Sequence, residues 1–253
     1  MYCFLDFYKV KSYFKKLKKM NINKKKFLTA VVVFLLNLLL SVTKPLADPS
    51  GAPTTIIVGD FSKTTIVDGV PSGWEKKEDK GKLNCLIEKD EQGKPVLHIK
   101  SNNASGGIHK VIEIDVKQYP YFTWKWKVIK IPPKGDVRKK GTDDQAGNIY
   151  VAFPGGFPEL VRSKIVSYLW DSNAPKGLMT TSPKRGNTKN IVVENGSEKL
   201  GEWITEKRNV YEDYKKLFGE EPPKTAKVSI WIDSDDTESE AEAFYDNLMF
   251  MKN

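Results

Sequence analysis

The 253-residue chain has two cysteines, Cys3 and Cys85, and two histidines, His98 and His109. Cys3 lies in a basic N-terminal stretch, so Cys85 stands alone in the body and an internal disulfide there is excluded. No cysteine sits at the end of the apolar N-terminal run, which excludes a lipid anchor on a cysteine there. Asn84-Cys85-Leu86-Ile87 reads as a strand, and Cys85 as a small packing residue in it. Neither histidine belongs to a metal-ligand spacing or a triad. Gly155-Gly156 lies in a Pro-flanked turn, not in a phosphate-cradling loop, and Ser182-Pro183 lacks the glycines of a nucleophile elbow. Nucleotide, zinc and redox-cofactor chemistry therefore have no motif here.

A cationic cluster is also missing from the body, although the formal charge is +9. Residues 1–47 hold ten lysines and one aspartate, so residues 48–253 carry 31 basic against 31 acidic side chains. Nucleic acid as a partner needs clustered cations that displace counterions. The run Arg138-Lys139-Lys140 is a short solvated turn beside Asp143 and Asp144. Nucleic acid is excluded as a partner on this ground.

What is present begins with an export leader. Lys24, Lys25 and Lys26 precede the apolar stretch Phe27 to Val42, interrupted by Thr29, Asn37 and Ser41. Sixteen helical residues span about 24 Å, short of a hydrocarbon core of about 30 Å. This favours a cleaved signal, with Thr43 to Ala47 as the cleavage region. Pro45 stands where a small residue is preferred, which leaves an uncleaved, membrane-anchoring leader as the alternative. Met20, four residues before the lysines, is the better start of such a signal than Met1. The expected organisation is a basic region and signal peptide over 1–47, a Pro/Gly/Ser linker over 48–55 and one domain over 56–253. The expected location is periplasmic or extracellular.

The body lacks long helical periodicity and is rich in short strands. In Tyr121 to Val128, Phe122, Trp124, Trp126 and Val128 alternate with Thr123, Lys125 and Lys127, placing the large aromatics on one buried face. Other strand segments are 66–70, 83–88, 96–100, 107–116, 148–153, 165–170, 189–194, 201–205, 227–232 and 243–250. Many short strands separated by turn residues predict an all-β fold, a jelly-roll β-sandwich. One short α-helix interrupts them. Asn209 caps it, Glu212 follows at capping-box spacing, Gly219 ends it, and Val210, Tyr214, Leu217 and Phe218 form the stripe that packs on the sandwich.

Several blocks in the second half carry a resemblance. They are Trp124-x-Trp126, Asp143-Asp144 before Ile149-Tyr150-Val151, Ser167-Tyr168-Leu169-Trp170, Ser182-Pro183 and Gly201-Glu202-Trp203. Arg208-Asn209-Val210 with Asp213-Tyr214, Phe218-Gly219, Ile232-Asp233-x-Asp235-Asp236-Thr237 and Ala243-Phe244-Tyr245-Asp246 follow in order. Together they resemble the bacterial domain-of-unknown-function family 3047, departing slightly at Asp236, where Asn is expected. The resemblance implies an exported bacterial domain and no established activity. More loosely, Asp60-Phe61, Pro71-x-Gly73-Trp74 and Tyr245-Asp246-Asn247 are similar to galactose-binding-like and carbohydrate-binding jelly rolls. That likeness implies adjacent first and last strands, with Asp60 and Asp246 near one another as ligands of a structural calcium ion.

Three constellations carry candidate chemistry. Asp233, Asp235 and Asp236 head an acidic run through Glu242, and hard oxygen ligands at that density suit calcium, the one cofactor the sequence suggests. The missing glycine at the sixth position excludes an EF-hand, and a solvated acidic loop is the simpler alternative. Asp143 and Asp144, with Asp233, are the candidate catalytic carboxylates of a polysaccharide-active hydrolase or lyase. Adjacent carboxylates also cap turns or pair with lysines, which is the structural alternative. Among the aromatics, Trp124 and Trp126 read as core. Tyr150 and Trp231 alternate against aliphatic neighbours and fall on the opposite face, with Tyr168, Arg185 and Arg208 completing a candidate saccharide site. The function expected is non-catalytic binding of a cell-envelope or extracellular saccharide. A polysaccharide-active enzyme and a structural protein with a protein partner are the alternatives.

Overall fold

Strands built on period-two alternation pair into two sheets whose apolar faces meet. The computed structural model describes residues 53–67, 69–155, 162–225 and 227–252. The leader, the proposed start at Met20 and most of the linker lie outside the described residues. In chain order the elements are β1 (Thr55–Gly59), β2 (Ile66–Val67), β3 (Val70–Pro71), β4 (Glu75–Lys80), β5 (Asn84–Lys89), β6 (Pro95–Asn102), β7 (Ser105–Val111) and β8 (Tyr121–Lys130). Then come β9 (Gly147–Phe153), β10 (Lys164–Asp171), β11 (Met179–Thr181), β12 (Thr188–Asn195), β13 (Ile204–Asn209), α1 (Val210–Phe218), β14 (Lys227–Asp233) and β15 (Glu240–Met251).

One sheet has the order β13-β8-β15-β6-β5, with β1 also paired to β15. The other has the order β11-β12-β10-β9-β14-β7-β4, and β2 and β3 form a separate ladder. Pairing is antiparallel except between β10 and β12. The first and last strands do lie side by side, Thr55 opposite Met251 and Ile56 opposite Phe250. The fold is thus an all-β sandwich, as the sequence predicts.

The core is aromatic. Phe122, Trp124, Trp126 and Val128 of β8 are fully buried, with Tyr168 and Trp170 of β10 facing them from the other sheet. Ring centroids lie 5.3 Å apart for Trp124–Tyr168 and 5.9 Å for Trp126–Trp170. Side chains of this size stabilise by roughly 2–3 kcal/mol each when buried.

The helix forms where expected. Asn209 accepts the Glu212 N–H at 3.0 Å, and Gly219, at φ +70°, ends the helix with its N–H donating to Lys215. Val210 and Tyr214 join the core, Tyr214 packing 4.5 Å from Phe153.

Three segments differ from expectation. The segment 66–70 is split into β2 and β3, because Gly69 at φ +78° turns the chain. The strand expected over 201–205 lies instead at 204–209, running directly into the helix cap. β4, Glu-Lys-Lys-Glu-Asp-Lys, is a strand with no apolar alternation at all. It pairs only with β7 and its charges guard a sheet edge, so its signal is electrostatic and not hydrophobic. Among the described residues no helix is long and apolar enough to cross a membrane.

Candidate functional site

Alternation decides which side chains of the seven-stranded sheet leave the core. Val228, Ile230 and Ile232 of β14 are fully buried, so Lys227, Ser229, Trp231 and Asp233 face outward. In β9, Ile149 and Val151 point inward, and Asn148, Tyr150 and Ala152 point outward. These residues floor a groove of about 620 Å³. β4 and β7 add Lys77, Asp79, Ser105 and His109 on one side, and Thr188 and Asn190 of β12 stand on the other.

The register puts Ser229 opposite Tyr150 and Trp231 opposite Asn148, so the two rings are diagonal neighbours. Their centroids are 6.1 Å apart. Gly107 pairs with Trp231 on the far side, where a Cβ would fall 2.0 Å from the Ile230 carbonyl oxygen, so no other residue fits. The Asn148 side-chain amide donates to the Tyr150 hydroxyl at 3.0 Å, and the Ser167 hydroxyl donates to Asn148 at 2.9 Å. Burial, joined by the charges of Asp233 and Asp143, pushes the Tyr150 phenol up, so it stays protonated and able to donate. Trp231 is only 8% exposed, and the Lys77 ammonium sits 5.7 Å from its ring centroid.

The groove is roofed. The loop joining β11 to β12 places Lys184 in an ion pair with Asp236 and Arg185 3.7 Å from Asp79 of β4. β12 and β4 are five strand positions apart, about 24 Å on a flat sheet. The loop therefore reaches across the groove from one side to the other. Its shape is held by the Ser182 hydroxyl, which accepts the N–H groups of Lys184 and Arg185 at 3.2 Å.

Carboxylates cluster at one end. Asp143 lines the groove at 8% exposure, and its carboxylate accepts the Gln145 amide at 3.1 Å. Burial raises its pKa to about 6, against the opposing pull of Gln145 and Lys184. Asp233 is raised to about 10, first by burial and then by its hydrogen bond to Asp235, whose own pKa is lowered. With the pKa raised on one carboxyl and lowered on the other, the pair favours a single shared proton. One Asp233 oxygen, Oδ1, is buried without a partner. Asp144, Asp233 and Asp235 each place one oxygen within 4.8 Å of the others.

Asp144 does not line the groove. Fully buried, it accepts the N–H of Asp236 at 3.2 Å, the N–H of Thr237 at 2.7 Å and the Thr237 hydroxyl at 2.6 Å. That is the work of a turn cap, and it takes Asp144 out of contact with a groove ligand. Asp236 lies outside the three-carboxylate group, since its side chain pairs with Lys184.

Tyr168 and Arg208 are brought together, but away from the groove. Tyr168 is on the core face of β10, fully buried, and donates to Asp213 at 2.9 Å, while Arg208 forks onto the same carboxylate at 2.6 and 3.0 Å. Strand phase explains this: Ser167, not Tyr168, points outward with Tyr150. The other calcium pair is also differently engaged. Asp60 caps a short 3-10 turn through Ser62, and the cation beside the buried Asp246 is the Lys94 ammonium. Of the sequence candidates, Tyr150, Trp231, Asp143, Asp233, Asp235 and Arg185 line one groove. Continuing the alternation from Tyr150 and Trp231 also identifies Asn148, Ser229 and Lys227. Lys184 and Asp79 carry no such signal, because a loop and an all-charged strand place them.

No curated protein matches the sequence. Among solved structures, a family 30 carbohydrate-binding module of a Clostridium thermocellum cellulosomal cellulase is similar at TM-score 0.43 and 10% identity. The match covers 78% of this chain and 96% of that one. A family 11 module of a cellulosomal cellulase from the same organism is similar at TM-score 0.42 and 9% identity, covering 79% and 95%. A family 11 module in complex with a β-1,3-1,4-mixed-linked tetrasaccharide aligns at TM-score 0.41 and 11% identity, covering 79% and 96%. By sequence, the model of the protein family of unknown function DUF3047 matches residues 72–249, from the Pro71-Ser72-Gly73-Trp74 turn into the last strand. Matching well over half of the chain, and containing the whole groove, it shows that this protein belongs to the DUF3047 family.

Proposed function

We propose that this protein is an exported saccharide-binding sandwich that holds its ligand in the groove without chemistry. The observation that carries the proposal is the Tyr150–Trp231 pair, set side by side on a floor lined with Asn148, Ser229 and Asn190. Aromatic faces take the apolar faces of sugar rings, while amides and hydroxyls take their hydroxyls. Export rests on the leader's composition. The test is a glycan array followed by calorimetry, comparing wild type with Tyr150→Ala and Trp231→Ala. Each substitution should lower affinity at least about tenfold. Silence of the wild type across the array would remove the proposal.

A second reading rests on the carboxyls. Asp143 and Asp233 both line the groove, and pKa values raised to about 6 and about 10 suit them to serve as base and acid respectively near neutral pH. Under that reading the protein is a polysaccharide hydrolase or lyase acting through these two. Release of reducing ends or unsaturated products, abolished by Asp143→Asn, would support it. A cation is part of the proposal too. Asp144, Asp233 and Asp235, with the unpartnered Asp233 oxygen, fit a calcium ion in place of the shared proton. Its part would be structural, fixing the loop that closes this end of the groove.

A further inference from the structure

The charges lining the groove are unevenly satisfied. Asp79 is held by Lys77 at 3.0 Å, and Asp235 by Lys80 at 3.2 Å. Asp233 is hydrogen-bonded with Asp235, and Asp143 takes the Gln145 amide with Lys184 nearby. Each lining carboxylate thus has a partner within the protein. Two cations do not match this pattern. The Arg185 guanidinium, half exposed, has one ion pair, to Asp79 at 3.7 Å, a distance beyond hydrogen bonding. Asp79 is already engaged by Lys77, and among the described residues the five N–H donors of the Arg185 side chain have no hydrogen-bond acceptor. Lys227 lines the groove and forms no ion pair among the described residues.

Their positions are as informative as their charge. Lys227 lies four residues before Trp231 on β14, about 13 Å along the strand. Arg185 hangs from the roof near Asp79, whose strand neighbour Lys80 pairs with Ser105, itself opposite Asp233. The cations therefore stand toward the two ends of the groove, with the aromatic pair between them. A planar guanidinium with free donors matches a carboxylate through two parallel hydrogen bonds, which a neutral sugar hydroxyl cannot supply.

We propose that the groove selects an acidic saccharide, one carrying carboxylates on its rings, with Arg185 and Lys227 taking carboxylates while a sugar face lies on Tyr150 and Trp231. This deepens the proposed function and rests on the groove being a saccharide site. The test is calorimetry on the full chain with oligogalacturonate, oligomannuronate and oligoglucuronate, their methyl esters, a phosphorylated glucan oligomer and neutral gluco- and xylo-oligosaccharides of equal length. At least one uronate should bind, and its methyl ester should bind at least about tenfold more weakly. Arg185→Met should weaken the uronate by a similar factor and leave neutral oligosaccharides unaffected, and Lys227→Met should act the same way. An unchanged melting temperature confirms that each variant is folded. Neutral oligosaccharides binding as tightly as every uronate, or Arg185→Met binding the uronate unchanged, would overturn the inference while leaving a saccharide site intact. A preference for the phosphorylated oligomer would also overturn it, assigning the cations to phosphate. If no saccharide of any kind binds, the proposed function itself fails.

Discussion

Replacing Asp144 with alanine separates a structural carboxylate from a catalytic one. Its carboxylate receives three donors: the N–H groups of Asp236 and Thr237 and the Thr237 hydroxyl. Hydrogen bonds to a charged acceptor contribute about 1.5–3 kcal/mol each. The loop they hold is half-buried, so water regains part of this once the carboxylate is gone. Removing Asp144 also relieves repulsion, since its charge helps to raise Asp233. With those two offsets, the expected loss is about 3–4 kcal/mol. For a domain of this size that lowers the melting temperature by roughly 10 °C. Asp144→Asn keeps the shape and one acceptor, and should lose about half as much. Urea unfolding with a constant slope, read by tryptophan fluorescence, is the assay. A loss of less than about 1 kcal/mol for the alanine variant would refute the turn-cap role, and any activity lost without such destabilisation would return Asp144 to the catalytic reading.

Other outcomes follow from the same groups. Asp143 has a folded pKa of about 6, above its unfolded value near 4, so the folded state holds the proton more tightly. Its contribution to stability should therefore fall by about 3 kcal/mol as pH rises from about 4 to about 6, and Asp143→Asn should flatten the measured slope by that share relative to wild type in urea titrations. Calcium added to the chelated protein should raise the melting temperature, and Asp233→Asn should abolish the rise; no shift in the wild type would reject the cation site. Arg208→Met leaves Asp213 without its fork beside the buried Tyr168 and should cost about 2–4 kcal/mol. Saccharide affinity measured by calorimetry on the folded variant should not change, and a tenfold loss would place Arg208 in the site after all.

Much of the sandwich is legible in period-two alternation, because burial of one face writes itself into the residue types. Trp124 and Trp126 on one side of β8, and Trp231 outward from Ile230 and Ile232, follow from that rule alone. The same rule, applied strictly, also separates Tyr168 from Tyr150. Register shows Ser167 opposite Tyr150, and Tyr168 opposite the core residue Ile149. Aromatic character pointed to the wrong neighbour there. The roof was not legible, because ion pairs such as Arg185–Asp79 link residues about a hundred positions apart and leave no local pattern. Nor was β4, whose charged composition mimics a loop. The role of Asp144 depends on a partner loop far along the chain, which adjacency to Asp143 cannot reveal.

The placement of β15 has a consequence for how the chain acquires its structure. It is a central strand, bonded to β8 along one side and to β6 and β1 along the other. β1 thus has no ladder partner, and β6 only its hairpin with β5, until residues 240–251 have been synthesised, close to two hundred residues after β1. Such distant pairing makes folding slow, since long loops must close before any contact rewards them. A chain arrested before Glu240 should retain no stable six-stranded sheet.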